Sequence, residues 1–347
     1  MKSIIILVTI VSLIACKNQG VRGVSDSVIA KGQMPQFVTE NNGNLHMIYG
    51  KGDSLLYSFS ADGGKTFNRS QVVGILPGLA SSHMRGPQIA LTSEGLLVTA
   101  CTTKGDIFSF VRNNGRWAVP VKVTDEDTVA KENLMALSAD GSNVVAVWLD
   151  LRSKHNQLFG AHSINGGRSW SENRVIYASP DTTVCQCCKP SVLVHDKNVY
   201  VMFRNWLKGN RDLYLVQSAD GGKSFSDAKK LGEGNWPLKG CPMDGGGLTI
   251  DSKGIPQTVW NRQGVIYSCS PGKQEQKIGE GRSCTTEMIN GKQVYAWVEN
   301  KKVVMLTPAK KLMLSEGEIP VLKTIDNHHL LCAWENDKQI HRVVLGL

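Results

Sequence analysis

The chain has 347 residues, 41% of them hydrophobic, with a formal net charge of +9. That is enough apolar sequence for a large core, and Gly and aromatics are spread too evenly for half of the chain to be disordered. The basic balance favours anionic ligands or surfaces, but no basic cluster is interleaved with aromatics, so a nucleic-acid groove is not expected.

The N-terminus reads as a targeting segment. Lys2 gives it a positive end, Ile4 to Leu13 is an apolar run, and Leu13-Ile-Ala-Cys16 closes it. The run is shorter than the ~20 residues a bilayer-spanning helix needs. The closing tetrapeptide resembles the bacterial lipobox. That resemblance implies removal of residues 1–15, lipidation at Cys16, a tether over 16–23 and a folded domain over 24–347. Residue 17 is Lys and not Asp, so the expected location is the cell envelope, anchored to the outer membrane through lipid.

From residue 24 onward strand signals dominate: Val, Ile, Tyr and Trp runs are broken by Gly, Asn and Asp every eight to twelve residues, and no stretch holds a helical period. One octapeptide occurs three times, as Ser60-Ala-Asp-Gly-Gly-Lys-Thr-Phe67, Ser163-Ile-Asn-Gly-Gly-Arg-Ser-Trp170 and Ser218-Ala-Asp-Gly-Gly-Lys-Ser-Phe225. Its Asp or Asn can bond its own backbone, its glycines tolerate positive φ and its last aromatic can pack beneath, which makes it a hairpin turn. Around these turns a larger unit recurs. An apolar strand ends at Tyr49, Cys101, Trp148, Phe203, Trp260, Trp297 or Trp334, and a second strand follows each after a short loop. Four of the preceding strands open at Pro35, Pro87, Pro190 and Pro320. Seven four-stranded units at a period of about 40 residues predict an all-β propeller. The last unit lacks a fourth strand, and Asp26-Ser-Val-Ile-Ala30 is expected to supply it and close the ring.

The repeated turn resembles the Asp box, or BNR repeat, of the sialidase superfamily, with degenerate versions at Asn113-Asn-Gly-Arg-Trp117 and Ser270-Pro-Gly-Lys273. Sialidase propellers have six blades, so six remains the alternative to the seven counted here. The resemblance places the Asp boxes on the outer rim and the functional face among two sets of loops: those between second and third strands and those leading into each inner strand. These hold Arg85, Arg152, Arg204 and Arg262 with Asn205 and Asn261, a set suited to capturing a carboxylate or sulfate. The alternative is that each Arg pairs with a local acid such as Asp150, Asp212 or Asp244. Catalysis in the family implies a Tyr nucleophile with a partnering Glu, an Asp acid/base and three arginines. The F/Y-R-I-P motif is absent, the corresponding segment being Gln33-Met-Pro-Gln36, and no Tyr stands in a central loop.

Eight of the nine cysteines remain once Cys16 is set aside. Cys101, Cys269 and Cys332 fall on strands and read as small buried hydrophobes. Cys185, Cys187, Cys188 and Cys241 fall in loops leading into adjacent inner strands, with Cys284 in the next loop, and the first four are expected to meet. They form disulfides or, with Met243, a soft site for copper or zinc. The functional expectation is a monomeric, lipid-anchored propeller that binds an anionic glycan or similar ligand and requires no cofactor. One alternative is an exo-α-sialidase or other glycoside hydrolase using Asp150, Asp244 or Glu299; the other is a copper or zinc protein.

Overall fold

The computed structural model describes residues 26–181 and 183–347. The expectations for residues 1–15 and for Cys16 lie outside the described residues. The described residues form strands and no helix, arranged as seven antiparallel sheets. Blade 1 begins with the strand Gln33–Thr39, blade 2 with Gln88–Thr92, blade 3 with Met135–Asp140 and blade 4 with Ser191–His195. Blade 5 begins with Gly246–Ile250, blade 6 with Arg282–Ile289 and blade 7 with Glu318–Thr324. These first strands contact one another from blade to blade around the ring, so they line its axis. Five sheets have four strands in sequence order, blade 7 takes its fourth strand from the start of the chain, and blade 2 carries an extra two-residue strand, Arg116–Trp117.

The count of seven stands, and closure occurs as the sequence implied. Ser27–Lys31 pairs antiparallel with Gln339–Gly346, placing Ser27 opposite Arg342 and Lys31 opposite Gln339. A ring closed by its own first strand leaves no blade with an incomplete sheet.

The core is a set of interfaces. Each of the seven blade–blade contacts has its own buried apolar cluster, such as Ile48, Leu55 and Tyr57 of blade 1 against Ile89, Val98 and Phe110 of blade 2. Because side chains alternate along a strand, Ile48 faces blade 2 while Met47 and Tyr49 face blade 7. A second strand is therefore covered on both faces, which explains the near-continuous apolar runs at Leu45–Lys51, Asn143–Asp150 and Asn198–Arg204. Trp148, Trp260, Trp297 and Trp334 occupy such strands and are fully buried.

All three octapeptides lie between the third and fourth strands of blades 1, 3 and 4 and share one hydrogen-bond pattern. In the first, Ser60 Oγ donates to Asp62 Oδ1 (2.8 Å) and accepts from Gly64 N (2.9 Å), while Asp62 accepts from the Thr66 amide (2.9 Å) and hydroxyl (2.6 Å). Asn165 repeats the arrangement with its amide donating to Ser169 Oγ. Gly64, Gly167 and Gly222 have φ of 79°, 86° and 89° and sit against Leu331, Leu97 and Val145 of the preceding blade. These positions require glycine both for the backbone and for the close approach.

Candidate functional site

The loops leading into the inner strands of blades 4 and 5 meet, as the chain order implied. Cys187 and Cys241 form a disulfide with Cα atoms 6.2 Å apart. Cys185 Sγ lies 3.7 Å from Cys187 Sγ and 3.5 Å from Cys188 Sγ. Cys185, Cys187 and Cys188 are buried, whereas Cys241 is exposed. The three upstream sulfurs all lie within 4.8 Å of one another, close enough for common thiolate ligation once Cys187 is reduced. In the state described, Cys187 is held by its disulfide, and Cys185 and Cys188 are the free pair. Met243 is 42% exposed and lines a separate cavity with His83 and Met84 at the mouth of the axial channel. Cys284 lies inside the first strand of blade 6, not in the loop before it, and is buried along the channel.

Two arginines surround the thiols. Arg211, two residues before blade 4's third strand, donates from Nη1 to Cys185 Sγ (3.0 Å) and from Nε to Leu238 O (3.2 Å), with its guanidinium 4.4 Å from the Trp206 ring centroid. Arg204 is 1% exposed and donates to Arg211 O (2.8 Å) and Asn261 O (2.9 Å). The hydrogen bond with Cys188, and then the positive field of Arg211 and Arg204, lower the Cys185 thiol to about 6 against the opposing effect of burial. Cys188 moves the other way, raised by burial and by the same hydrogen bond. Because Arg211 donates to Cys185, Cys185 is the natural thiolate and Cys188 keeps its proton.

The other residues singled out in the sequence are held by their own neighbours. Arg85 bonds Glu132 O (2.8 Å) and His83 O (3.2 Å). Arg152 meets Asp150, Asp125 and Glu126 at 3.0–3.1 Å. Arg262 is paired through both terminal nitrogens with Glu275 and stacks 4.1 Å from the Tyr267 centroid. Asn205 is fully buried on Tyr177 OH (2.8 Å). The four arginines are thus held by separate partners, and for Arg152 and Arg262 the local-acid alternative describes the geometry. Asp150 accepts from the Trp148 indole (2.9 Å) and from Arg152, and Glu299 from the Trp297 indole (3.2 Å) and Lys311 (2.8 Å). Both acids follow their Trp by two residues on one strand, the spacing that puts side chains on the same face. These two bonds orient the acids toward the blade interior.

Asp244 stands apart. It is 1% exposed on the axial channel, where Oδ2 accepts from Asn261 Nδ2 (2.9 Å) and Ser283 N (3.1 Å). Burial raises its pKa, opposed first by Arg204. Across the same channel of about 240 Å³, Lys189 bonds Gln88 Oε1 (3.1 Å) and is lowered by burial to about 8. The entries to the inner strands also hold non-glycine residues at positive φ: Met84 and Met243 in the loops, and Met34, Ser283 and Ile319 one residue into the first strands of blades 1, 6 and 7, the last β-branched at 51°. Those at Met34, Ser283 and Ile319 coincide with bulges in the first strands of blades 1, 6 and 7, and such backbone strain concentrates at functional sites.

A wide concavity opens on the same face. A depression of about 800 Å³ is lined by Trp236, Cys241 and Pro242 on one side and by Asn261, Lys301 and Asn336 among the loops of blades 5, 6 and 7. Arg211 ties its wall to the thiol cluster, since Arg211 N donates to Trp236 O (2.8 Å) and Arg211 Nε to Leu238 O. Sequence reasoning missed Arg211 and Trp236; nothing local marks them, because their partners lie some 26 residues away.

No family model matches the chain, and no curated protein matches it. Solved structures do. BBS1N, in complex with ARL6DN, aligns with a TM-score of 0.58 at 10% identity over 94% of this chain and 98% of its own. The SapL1 lectin with alpha methyl fucoside aligns at 0.52 and 13%, over 84% and 98%. The alpha-l-arabinofuranosidase arb93a from Fusarium graminearum aligns at 0.51 and 12%, over 91% and 93%. At such identities the likeness is one of fold alone, shared with proteins as different as a lectin and an arabinofuranosidase.

Proposed function

We propose that this propeller is a carbohydrate-binding protein whose ligand sits in the depression across blades 5 to 7. The observation that carries the reading is the wall of that depression: an indole beside amide and charged side chains from three blades, the mixture that stacks on and hydrogen-bonds to sugar rings. The sugar-binding and sugar-cleaving propellers among the structural neighbours support it as analogy. Arg152 and Arg262 are neutralised by their own acids, and in the depression Arg282 and Lys301 stand beside Glu316, Glu318, Glu335 and Asp337, with Arg282 3.8 Å from Glu318, so an anionic substituent would be met by Lys301. Lipid anchoring at Cys16 remains part of this proposal and rests on the lipobox resemblance.

A glycan array probed with the full chain tests it, followed by calorimetry on the best ligand. Trp236→Ala and Asn336→Ala should each weaken binding by about tenfold, as expected for loss of one stacking or one hydrogen-bonding group. Unchanged affinity in both would move the ligand elsewhere. The hydrolase reading keeps one specific support, the raised pKa of Asp244, which suits a proton donor. Turnover of a fluorogenic sialoside or arabinofuranoside, lost in Asp244→Asn, would establish that reading.

A further inference from the structure

The four cysteines at the loop face differ in what can reach them. Cys241 is exposed on the edge of the depression, its partner Cys187 is buried, and behind Cys187 lie the buried thiols of Cys185 and Cys188. An isolated structural disulfide needs no such neighbours. A free sulfur 3.7 Å from a disulfide sulfur is at contact distance for attack, and Cys185-Gln-Cys-Cys188 has the two-residue spacing in which two thiols can bridge. Arg211 donates to the sulfur nearest the disulfide and supplies the charge that a thiolate requires.

We propose that Cys185, Cys187, Cys188 and Cys241 form a dithiol–disulfide relay, through which the buried Cys185/Cys188 pair exchanges electrons with an external disulfide or dithiol at the exposed Cys241 sulfur. The Cys185 thiolate attacks Cys187 Sγ; the Cys185–Cys187 bond forms, the Cys187–Cys241 bond breaks, and Cys241 leaves as thiolate. Cys188 then attacks Cys185 Sγ, Cys187 leaves as thiolate, and the proton of Cys188 passes to Cys241. One electron pair has moved from Cys185/Cys188 to Cys187/Cys241, with no outside reagent. A substrate disulfide is next attacked by Cys241, releasing one thiol; Cys187 attacks Cys241 Sγ, releases the second and restores the original bridge. A dithiol reductant reverses the sequence.

The Arg211 hydrogen bond to Cys185 supports the direction of attack, since the thiolate is the nucleophile and the guanidinium stabilises it at the sulfur that lies beside Cys187. The relay also touches the depression. Arg211 joins Cys185 to Trp236 and Leu238, and Cys241 is itself part of the lining, so loss of the Cys187–Cys241 bridge frees the segment that forms one wall. The relay does not depend on what the depression binds.

The test starts from the reduced full chain, exposed to glutathione disulfide, quenched with an alkylating agent at intervals and mapped by peptide mass spectrometry. Wild type should form the Cys187–Cys241 bridge first and the Cys185–Cys188 bridge after it. In Cys241→Ser the buried pair loses its outlet, and formation of Cys185–Cys188 should slow by about tenfold or more. Cys187→Ser keeps an exposed thiol at Cys241 but cuts the connection; it should show the same slowing with glutathione retained on Cys241. Cys269→Ser, outside the cluster, should behave as wild type. A Cys185–Cys188 bridge formed at the wild-type rate in both relay variants would overturn the proposal. So would wild type that forms Cys187–Cys241 and never the second bridge. One zinc or copper ion per chain, with thiols that react only after chelation, would overturn it in favour of a thiolate metal site.

Discussion

The three Asp- or Asn-centred turns on the rim and the cysteine–arginine cluster near the axis solve opposite problems with the same kinds of groups. A rim turn closes within seven residues: Asp62 accepts from the Thr66 amide and hydroxyl and from Ser60, in water's reach. The axial cluster is assembled from loops tens of residues apart, and its charges sit out of water: Arg204 at 1% and Asp244 at 1% exposure. Local hydrogen bonds on a solvated surface are individually modest, whereas a buried charge that loses its partners incurs the whole desolvation cost. The rim should therefore tolerate change, and the axis should not.

The largest effect is expected at Arg204. Arg204→Met leaves the carbonyls of Arg211 and Asn261 without their donors and deprives Asp244 of its main electrostatic counterweight. It should lower unfolding free energy by about 3–5 kcal/mol, the range for removing one member of a buried charged set, read from the midpoint of a urea titration at constant slope. The double variant Arg204→Met/Asp244→Leu should be less damaged than Arg204→Met alone, because the stranded carboxyl goes as well. A double variant that is worse by the full sum would mean the two charges act independently.

The comparison sharpens in acid and base. Asp62 is depressed to about 2, first by the Thr66 hydroxyl and then by its amide, so its contribution is present above the ordinary carboxylate pKa of about 4 and is lost as pH falls through the folded value. Asp244 is raised by burial. Its sign is reversed: its contribution is fully present below about pH 4 and is lost as pH rises through the folded value. Asp244→Asn should remove that decline, leaving a flatter stability profile above pH 4 than wild type in equilibrium unfolding across pH. An unchanged profile would mean that Asp244 is not buried as described.

The same contrast explains what was legible in the chain. The turns, the blade count and the closing strand are written locally, as repeated octapeptides, alternating apolar runs and a fourth strand missing from the last unit. The meeting of Cys241 with the Cys185–Cys188 loop was legible because adjacent inner strands converge. The identity of the bonded pair was not, since three upstream sulfurs lie within reach of one another. Whether each arginine is free or paired was left open, because residue type and loop position say nothing about neighbours: Glu275, which neutralises Arg262, sits thirteen residues on and across a hairpin. Asp150 and Glu299 were acid/base candidates by loop position, and the Trp two positions earlier on the same strand donates to each. Strand periodicity places each Trp and acid on one face, so that pairing is legible in the sequence.

The smallest effect is expected on the rim, and the chain already contains the control. Asn165 occupies the place that Asp62 takes in blade 1 and keeps the same bonds: Ser163 and the Ser169 amide donate to its Oδ1, while its Nδ2 turns the remaining hydroxyl contact around by donating to Ser169 Oγ. Thr66 has a hydroxyl that can accept as well as donate, so Asp62→Asn should retain the turn and change stability by less than about 0.5 kcal/mol at neutral pH. Asp62→Ala removes every acceptor and should cost about 1 kcal/mol, the net worth of exposed local bonds and not of buried ones. The two variants should also part in acid: Asp62→Asn ceases to lose stability as pH falls from about 4 toward 2, because the amide does not titrate there. If Asp62→Asn proved as damaging as Asp62→Ala, the charge and not the hydrogen-bond pattern would hold the turn, and Asn165 would need a compensating group that its surroundings do not supply.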